Sequence, residues 1–213
     1  MRYLKVLGLA AVAAMAVMAF IGASSASATV LCTQTLTTCP GGHETNEMYE
    51  PGDIIVGTST NARLTSDIAN VKCSSSETEA ELETTGGENE TVTGTIIELN
   101  FTGCKTEQVV PLSCVVTVNN LPYHTEVHWT EGHNGQLTVT SGGGGNPGAT
   151  VVCGGLINCT FSNTLFSLPI DGGNPAKVTA SKVNLLRNGG LCGNEAFWDA
   201  TYESTTPVYV LKD

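Results

Sequence analysis

Positive charge is scarce in this chain: nine Lys and Arg among 213 residues, against twenty Asp and Glu. Affinity for nucleic acid comes largely from Lys and Arg neutralising phosphates, so this balance argues against DNA, RNA and anionic membrane surfaces as partners. Solubility is the simpler account of the acidity. No apolar run after residue 21 reaches the ~20 residues that a membrane-spanning helix needs. No Cys-x-x-Cys pair occurs, which removes the close spacing typical of zinc sites. The Gly-x-Ser-x-Gly elbow and the His-Glu-x-x-His helix are both missing. His124-x-Glu126 shares a fragment with zinc deaminases, but no Pro-Cys-x-x-Cys follows it. Beyond the N-terminal segment there is also no convincing amphipathic helical period.

What is present begins with an export signal. Arg2 and Lys5 precede an apolar run from Val6 to Ile21. Small residues follow, ending in Ala26-Ser27-Ala28, the layout of a secretory signal peptide with an A-x-A cleavage site. Residues 1–28 are therefore expected to be removed, leaving 29–213 as one secreted domain. The mature part keeps seven basic residues against twenty acidic, a balance of −13. The Ala-rich leader has a bacterial character, so the sequons at Asn89, Asn100 and Asn158 are read as chance.

Short runs rich in Thr and Val, punctuated by Gly, Asn and Pro, predict strands throughout. Glu77–Thr85 alternates cleanly, with Thr78, Ala80, Leu82 and Thr84 on one face and Glu77, Glu79, Glu81 and Glu83 on the other. Gly86-Gly87-Glu88-Asn89 then turns the chain into a returning strand over Thr91–Phe101. The glutamates are read as a device against edge pairing, in preference to a weak calcium site. The Gly-rich stretch Ser141–Gly148 contains a formal G-x-G-x-x-G, but no helix follows it, so a flexible hairpin loop is expected. Many short strands at this spacing fit a sandwich or a barrel. The expectation adopted is an all-β antiparallel sandwich, Ig-like or jelly-roll-like, stabilised by disulfides.

All eight cysteines lie after the leader: Cys32, Cys39, Cys73, Cys104, Cys114, Cys153, Cys159 and Cys192. An even count behind an export signal reads as a disulfide framework. Proximity suggests Cys32–Cys39, Cys104–Cys114 and Cys153–Cys159, with Cys73–Cys192 as one long bridge, out of 105 possible pairings.

The histidines carry the only chemical tension. On a strand, His124, Glu126 and His128 share one face, while Thr125, Val127 and Trp129 share the other. With His133 nearby, two imidazoles and a carboxylate could hold zinc or copper. Burying Val127 and Trp129 is the stronger demand, so the histidine face is expected to face solvent and hold no metal.

The segments Leu31-Cys32 to Cys39-Pro40, Val71-Lys72-Cys73-Ser74-Ser75-Ser76, Leu99-Asn100-Phe101-Thr102-Gly103-Cys104 and Cys192 to Tyr202 resemble pieces of a set of secreted β-rich proteins encoded in many copies by actinobacteria. That resemblance implies secretion and supplies no activity, ligand or catalytic residue. The functional expectation is a non-catalytic extracellular protein for binding, adhesion or envelope structure. Its partner would be an extracellular or cell-envelope ligand, neither nucleic acid nor membrane. No cofactor, metal or catalytic residue is assigned. The competing expectation is a secreted hydrolase with a site assembled from distant loops.

Overall fold

The computed structural model describes residues 28–35, 47–190 and 192–213. The expected signal peptide, apart from Ala28, lies outside the described residues, as does Cys39 and with it the expected Cys32–Cys39 bridge.

The described chain is built from β-strands alone. In order they are β1 (Thr29–Cys32), β2 (Ile54–Ser59), β3 (Arg63–Ser66), β4 (Asn70–Lys72), β5 (Ser75–Leu82) and β6 (Gly86–Gly87). β7 (Val92–Thr102), β8 (Lys105–Thr106), β9 (Cys114–Asn119), β10 (Tyr123–Trp129), β11 (Gly135–Ser141) and β12 (Gly148–Cys153) follow. β13 (Ile157–Ser162), β14 (Leu165–Asp171), β15 (Lys177–Gly190), β16 (Glu195–Ser204) and β17 (Tyr209–Leu211) complete the series.

The expected sandwich is not what forms. Eight strands close into an antiparallel barrel in the order β16-β2-β5-β7-β10-β11-β14-β15, and β15 pairs back onto β16. The physical cause lies in the long β15–β16 hairpin. Near one end, Lys177 and Val178 of β15 pair with β14, while Glu203 and Ser204 of β16 pair with β2. Both outer edges of the hairpin are therefore satisfied, and no open edge is left to begin a second sheet. Period-two alternation is the same in a sandwich and a barrel, so the inward and outward sets read from the sequence survive the change.

Further along, the same hairpin turns to other partners. β15 pairs with β13, and Ala196–Asp199 of β16 pair with β3. The switch follows a register shift between Ala180 and Val183, where Lys182 has φ 49° and its N–H donates to Asp199 Oδ1 at 2.9 Å. An extra residue of this kind bends a strand and increases its twist. Two short arms, β3-β4-β8 and β13-β12-β9, thus extend the sheet beyond the barrel as a collar. An isolated bridge between Lys105 and Ser113 joins the arms.

The other barrel end is covered by a small sheet, β17-β1-β6. Leu31 of β1 and Val208 and Val210 at β17 pack among Leu82, Val92, Val127 and Ile170. Thr29 Oγ1 accepts the Trp129 N–H at 2.9 Å, tying β1 to β10. The Gly-rich stretch is not a hairpin loop either: it leads from β11 of the barrel to β12 of the collar. Gly148 is needed there because a Cβ would lie 2.2 Å from the Phe161 carbonyl oxygen.

β5 also departs from expectation. It lies between β2 and β7, so its glutamates do not guard an edge. They wet the outer wall, with Glu79 directly opposite Glu98 of β7.

A candidate ligand cavity inside the barrel

The inward residues follow from alternation on each strand. Thr78, Ala80 and Leu82 project from β5, Tyr123, Thr125 and Val127 from β10, and Phe166, Leu168 and Ile170 from β14. β16 supplies Trp198, Tyr202 and Ser204. Together they surround a cavity of about 220 Å³. Leu31 and Val208 bound it on the side of the small sheet, and Val71, Val116, Val151 and Phe161 bound it on the collar side. Its wall is almost wholly apolar. An eight-stranded barrel is the size at which side chains either fill the interior or leave room for one small molecule.

The polar wall groups are mostly engaged with the protein. Tyr202 Oη and Ser76 Oγ are 2.8 Å apart. Burial pushes the Tyr202 phenol up to about 12, a rise that the Ser76 hydrogen bond partly offsets. Tyr123 Oη lies within donating reach of the Asn119 and Gly148 carbonyls and accepts the Gly148 N–H at 3.2 Å. Its phenol is also raised by burial. Thr78 donates to the Glu98 carbonyl at 3.1 Å, and Ser204 to the Thr206 carbonyl at 2.6 Å. Trp198 differs: its Nε1 is buried and has no hydrogen-bond partner among the described residues. The indole packs at 6.1 Å centroid distance from both Phe166 and Tyr202.

No family model, curated protein or solved structure matches the chain.

The histidines lie on the outside of the barrel. Tyr123, Thr125 and Val127 are buried, and His124, Glu126 and His128 alternate with them on the outer face. Glu126 stands between the two imidazoles, 3.6 Å from His124 Nε2 and 3.6 Å from His128 Nε2. His124 Nδ1 is also 3.9 Å from Glu83. His133 instead meets Tyr209 edge-on at 5.6 Å. Among the described residues no cluster of three or more His, Cys, Asp or Glu has metal-holding geometry.

The cysteines pair differently from the proximity rule. The bridges are Cys73–Cys104, Cys114–Cys153 and Cys159–Cys192, with sequence separations of 31, 39 and 33. The expected Cys104–Cys114, Cys153–Cys159 and Cys73–Cys192 pairs do not form. The cause is register: Cys153 of β12 lies directly opposite Cys114 of β9. Cys73 and Cys104 sit where the β5–β7 ribbon passes into β4 and β8, their Cα atoms 3.8 Å apart. All three bridges staple the collar, whose strands are short. Such bonds suit an oxidising compartment.

Trp198 was not singled out from the sequence, although a signal was there. Ala196, Trp198, Ala200 and Tyr202 share one face of a strand, and two alanines flanking an indole leave space beside it.

Proposed function

We propose that this protein is an extracellular binding protein that holds one small apolar molecule inside its barrel. The observation that carries the reading is the cavity of about 220 Å³ with an apolar wall. Protein interiors are normally packed as densely as organic crystals. At ~24 cal/mol per Å³, leaving that volume unfilled costs about 5 kcal/mol. Such a cost is comparable with the whole margin of many domains, and a bound molecule would recover much of it. For scale, an engineered apolar cavity of roughly 150 Å³ in another protein binds benzene.

The outward faces support release from the cell in place of membrane insertion. Membrane-spanning barrels turn apolar residues outward and polar ones inward. This barrel does the opposite, with Glu77, Glu79, Glu81 and Glu98 outside and Ala80, Leu82, Val139 and Leu168 inside. The disulfide-stapled collar and the N-terminal leader pattern point to the same destination. The bonded cysteines also offer no thiolate nucleophile.

The test is to isolate the protein from the medium of cells that secrete it, extract it with organic solvent and analyse the extract by mass spectrometry. A lipid-like species at close to one per protein, lacking in extracts of an unrelated secreted protein, is expected. Extracts indistinguishable from that control, together with failure of added apolar compounds to bind, would overturn the reading.

A further inference from the structure

We propose that the outer tip of the collar docks on an anionic lipid surface. Lys72 and Lys105 meet the head groups there, and Val109, Val110, Val115 and Leu156 enter the interface. This goes beyond the cavity reading and does not depend on it.

Charge is spread unevenly over the molecule. The collar, with the part of the β15–β16 hairpin that carries it, comprises residues 63–73, 104–119, 148–162, 182–190 and 192–199. These segments hold five basic and four acidic residues. The rest of the described chain holds two basic and fifteen acidic. The acidity that argues against an anionic surface therefore belongs to the barrel. At physiological ionic strength exposed charges are screened over ~8 Å, so a surface that meets the collar responds mainly to the collar's own charges.

Register brings the cations together. Arg63 of β3 is directly opposite Lys72 of β4, and Lys72 is directly opposite Lys105 of β8. Residues paired in this way project from one face of a sheet, and all three are exposed. Arg63 is answered: its Nε is 2.6 Å from Glu107, and Asp199 of β16 lies opposite it. Lys72 and Lys105 have no ion-pair partner among the described residues. Elsewhere, Lys177 meets Glu203 at 2.9 Å and Lys212 lies over Trp129. Like charges directly opposite one another destabilise a sheet, and an anion bound to both lysines would remove that cost.

The same end of the collar carries bare aliphatic side chains. Val109, Val110, Val115 and Leu156 are each at least 66 % exposed, more than any other large apolar side chain among the described residues. Lys105 and Ser113 form a bridge across the loop that holds Val109 and Val110. Alternation puts Val115 on the face of Ser113, and so on that of Lys105. Leu156 sits in the turn after Cys153, where the Gly154 N–H donates to the Ser113 carbonyl at 3.1 Å. The loop is pinned at its base. The Thr106 N–H donates to the Leu112 carbonyl at 3.0 Å, the Leu112 N–H donates to Thr106 Oγ1 at 2.8 Å, and Cys114–Cys153 follows directly. Exposed apolar patches rimmed by polar residues mark interaction sites.

The two features together select the occupant. A soluble polyanion would answer the lysines and leave four aliphatic side chains in water. An uncharged lipid surface would cover the aliphatics and leave the lysines unanswered. An anionic lipid surface satisfies both, since interfacial binding adds buried apolar area to attraction between basic residues and anionic head groups.

The experiment measures co-sedimentation of the secreted protein with vesicles at about 0.1 M salt, where charges are screened over roughly 10 Å. One set of vesicles is phosphatidylglycerol and phosphatidylcholine in equal parts, and the other is phosphatidylcholine alone. The wild type should prefer the mixed vesicles by about thirtyfold, about fivefold for each lysine. Replacing Lys72→Gln and Lys105→Gln together should abolish that preference. Lys177→Gln with Lys212→Gln removes the same charge elsewhere and should leave it unchanged. Val109→Ser, Val110→Ser and Leu156→Ser together should weaken binding to mixed vesicles by about tenfold or more, with the β-strand circular dichroism unchanged. Equal losses from the two lysine pairs would overturn the proposal, as would a wild type that ignores mixed vesicles and so leaves the patch to a protein partner. A serine variant that binds as well as the wild type would overturn it too, because the lysines would then serve any polyanion.

Discussion

Tyr202 Oη and Ser76 Oγ lie 2.8 Å apart inside the barrel, linking β16 to β5 across 126 residues of sequence. The two strands are separated by β2 in the sheet, so the bond reaches past β2 along the interior wall. Both groups are buried, and an unpaired hydroxyl there would bear the full desolvation cost.

The first prediction concerns alkaline pH. An unfolded tyrosine ionises near 10, whereas Tyr202 is held up to about 12. Between those values the unfolded chain has lost a proton that the folded chain keeps. Stability from this group is thus complete below pH 10 and is lost as pH rises to about 12. The loss is on the order of 2–3 kcal/mol. Urea titrations at pH 9 and pH 11.5 should show it. A Tyr202→Phe variant should start less stable, since Ser76 loses its partner, and should fall less steeply over that window. Parallel pH profiles for the two proteins would refute the assignment.

The second prediction concerns the collar. Non-reducing peptide mapping should recover Cys73–Cys104, Cys114–Cys153 and Cys159–Cys192 as linked peptides. Closing loops of 30 to 40 residues stabilises by roughly 4 kcal/mol each in the chain-entropy model. Replacing Cys114 and Cys153 together by Ser should lower Tm by about 8–16 °C at this chain length. A shift under a few degrees would mean that the bridge adds little to the β9–β12 pairing.

How much of this was legible follows from which interactions are local. The inward and outward faces of β5 and β10 could be read, because alternation is a property of each strand alone. The histidine face was placed correctly for the same reason. Barrel closure depends on β15 and β16 having different neighbours at their two ends, which no strand records by itself. β13 ends at Ser162 and β14 begins at Leu165 on a different part of the sheet, a break that the strand-like residues on either side conceal. The bridges depend on register between strands more than thirty residues apart, so proximity in sequence misassigned them. β1 escaped notice because its partner β17 lies at the far end of the chain. Trp198 lies within β16, but an unpaired indole can be recognised only once its surroundings are known.

The third prediction concerns that N-terminal strand. Gly86 has φ +74°, and a Cβ there would lie 1.8 Å from the Thr29 carbonyl oxygen. A Gly86→Ala change should therefore push β1 away from β6 and cost more than ~1 kcal/mol, since alanine also resists positive φ. Faster hydrogen exchange at Val30 and Leu31 than in the wild type would report the opening. Unchanged exchange would show that the sheet covering this end of the barrel does not depend on the close approach.

The most direct test of interior binding is a fluorescence titration of N-phenyl-1-naphthylamine into the wild type and into an Ala80→Phe variant. Ala80 faces the cavity from the middle of β5, and a phenyl ring there takes up space that a ligand would use. The account predicts saturable binding of one probe per wild-type molecule. It predicts a loss of affinity of about tenfold or more in the variant, with the β-strand circular dichroism unchanged. Binding that Ala80→Phe leaves undiminished, or a wild type that binds no probe at all, would contradict it.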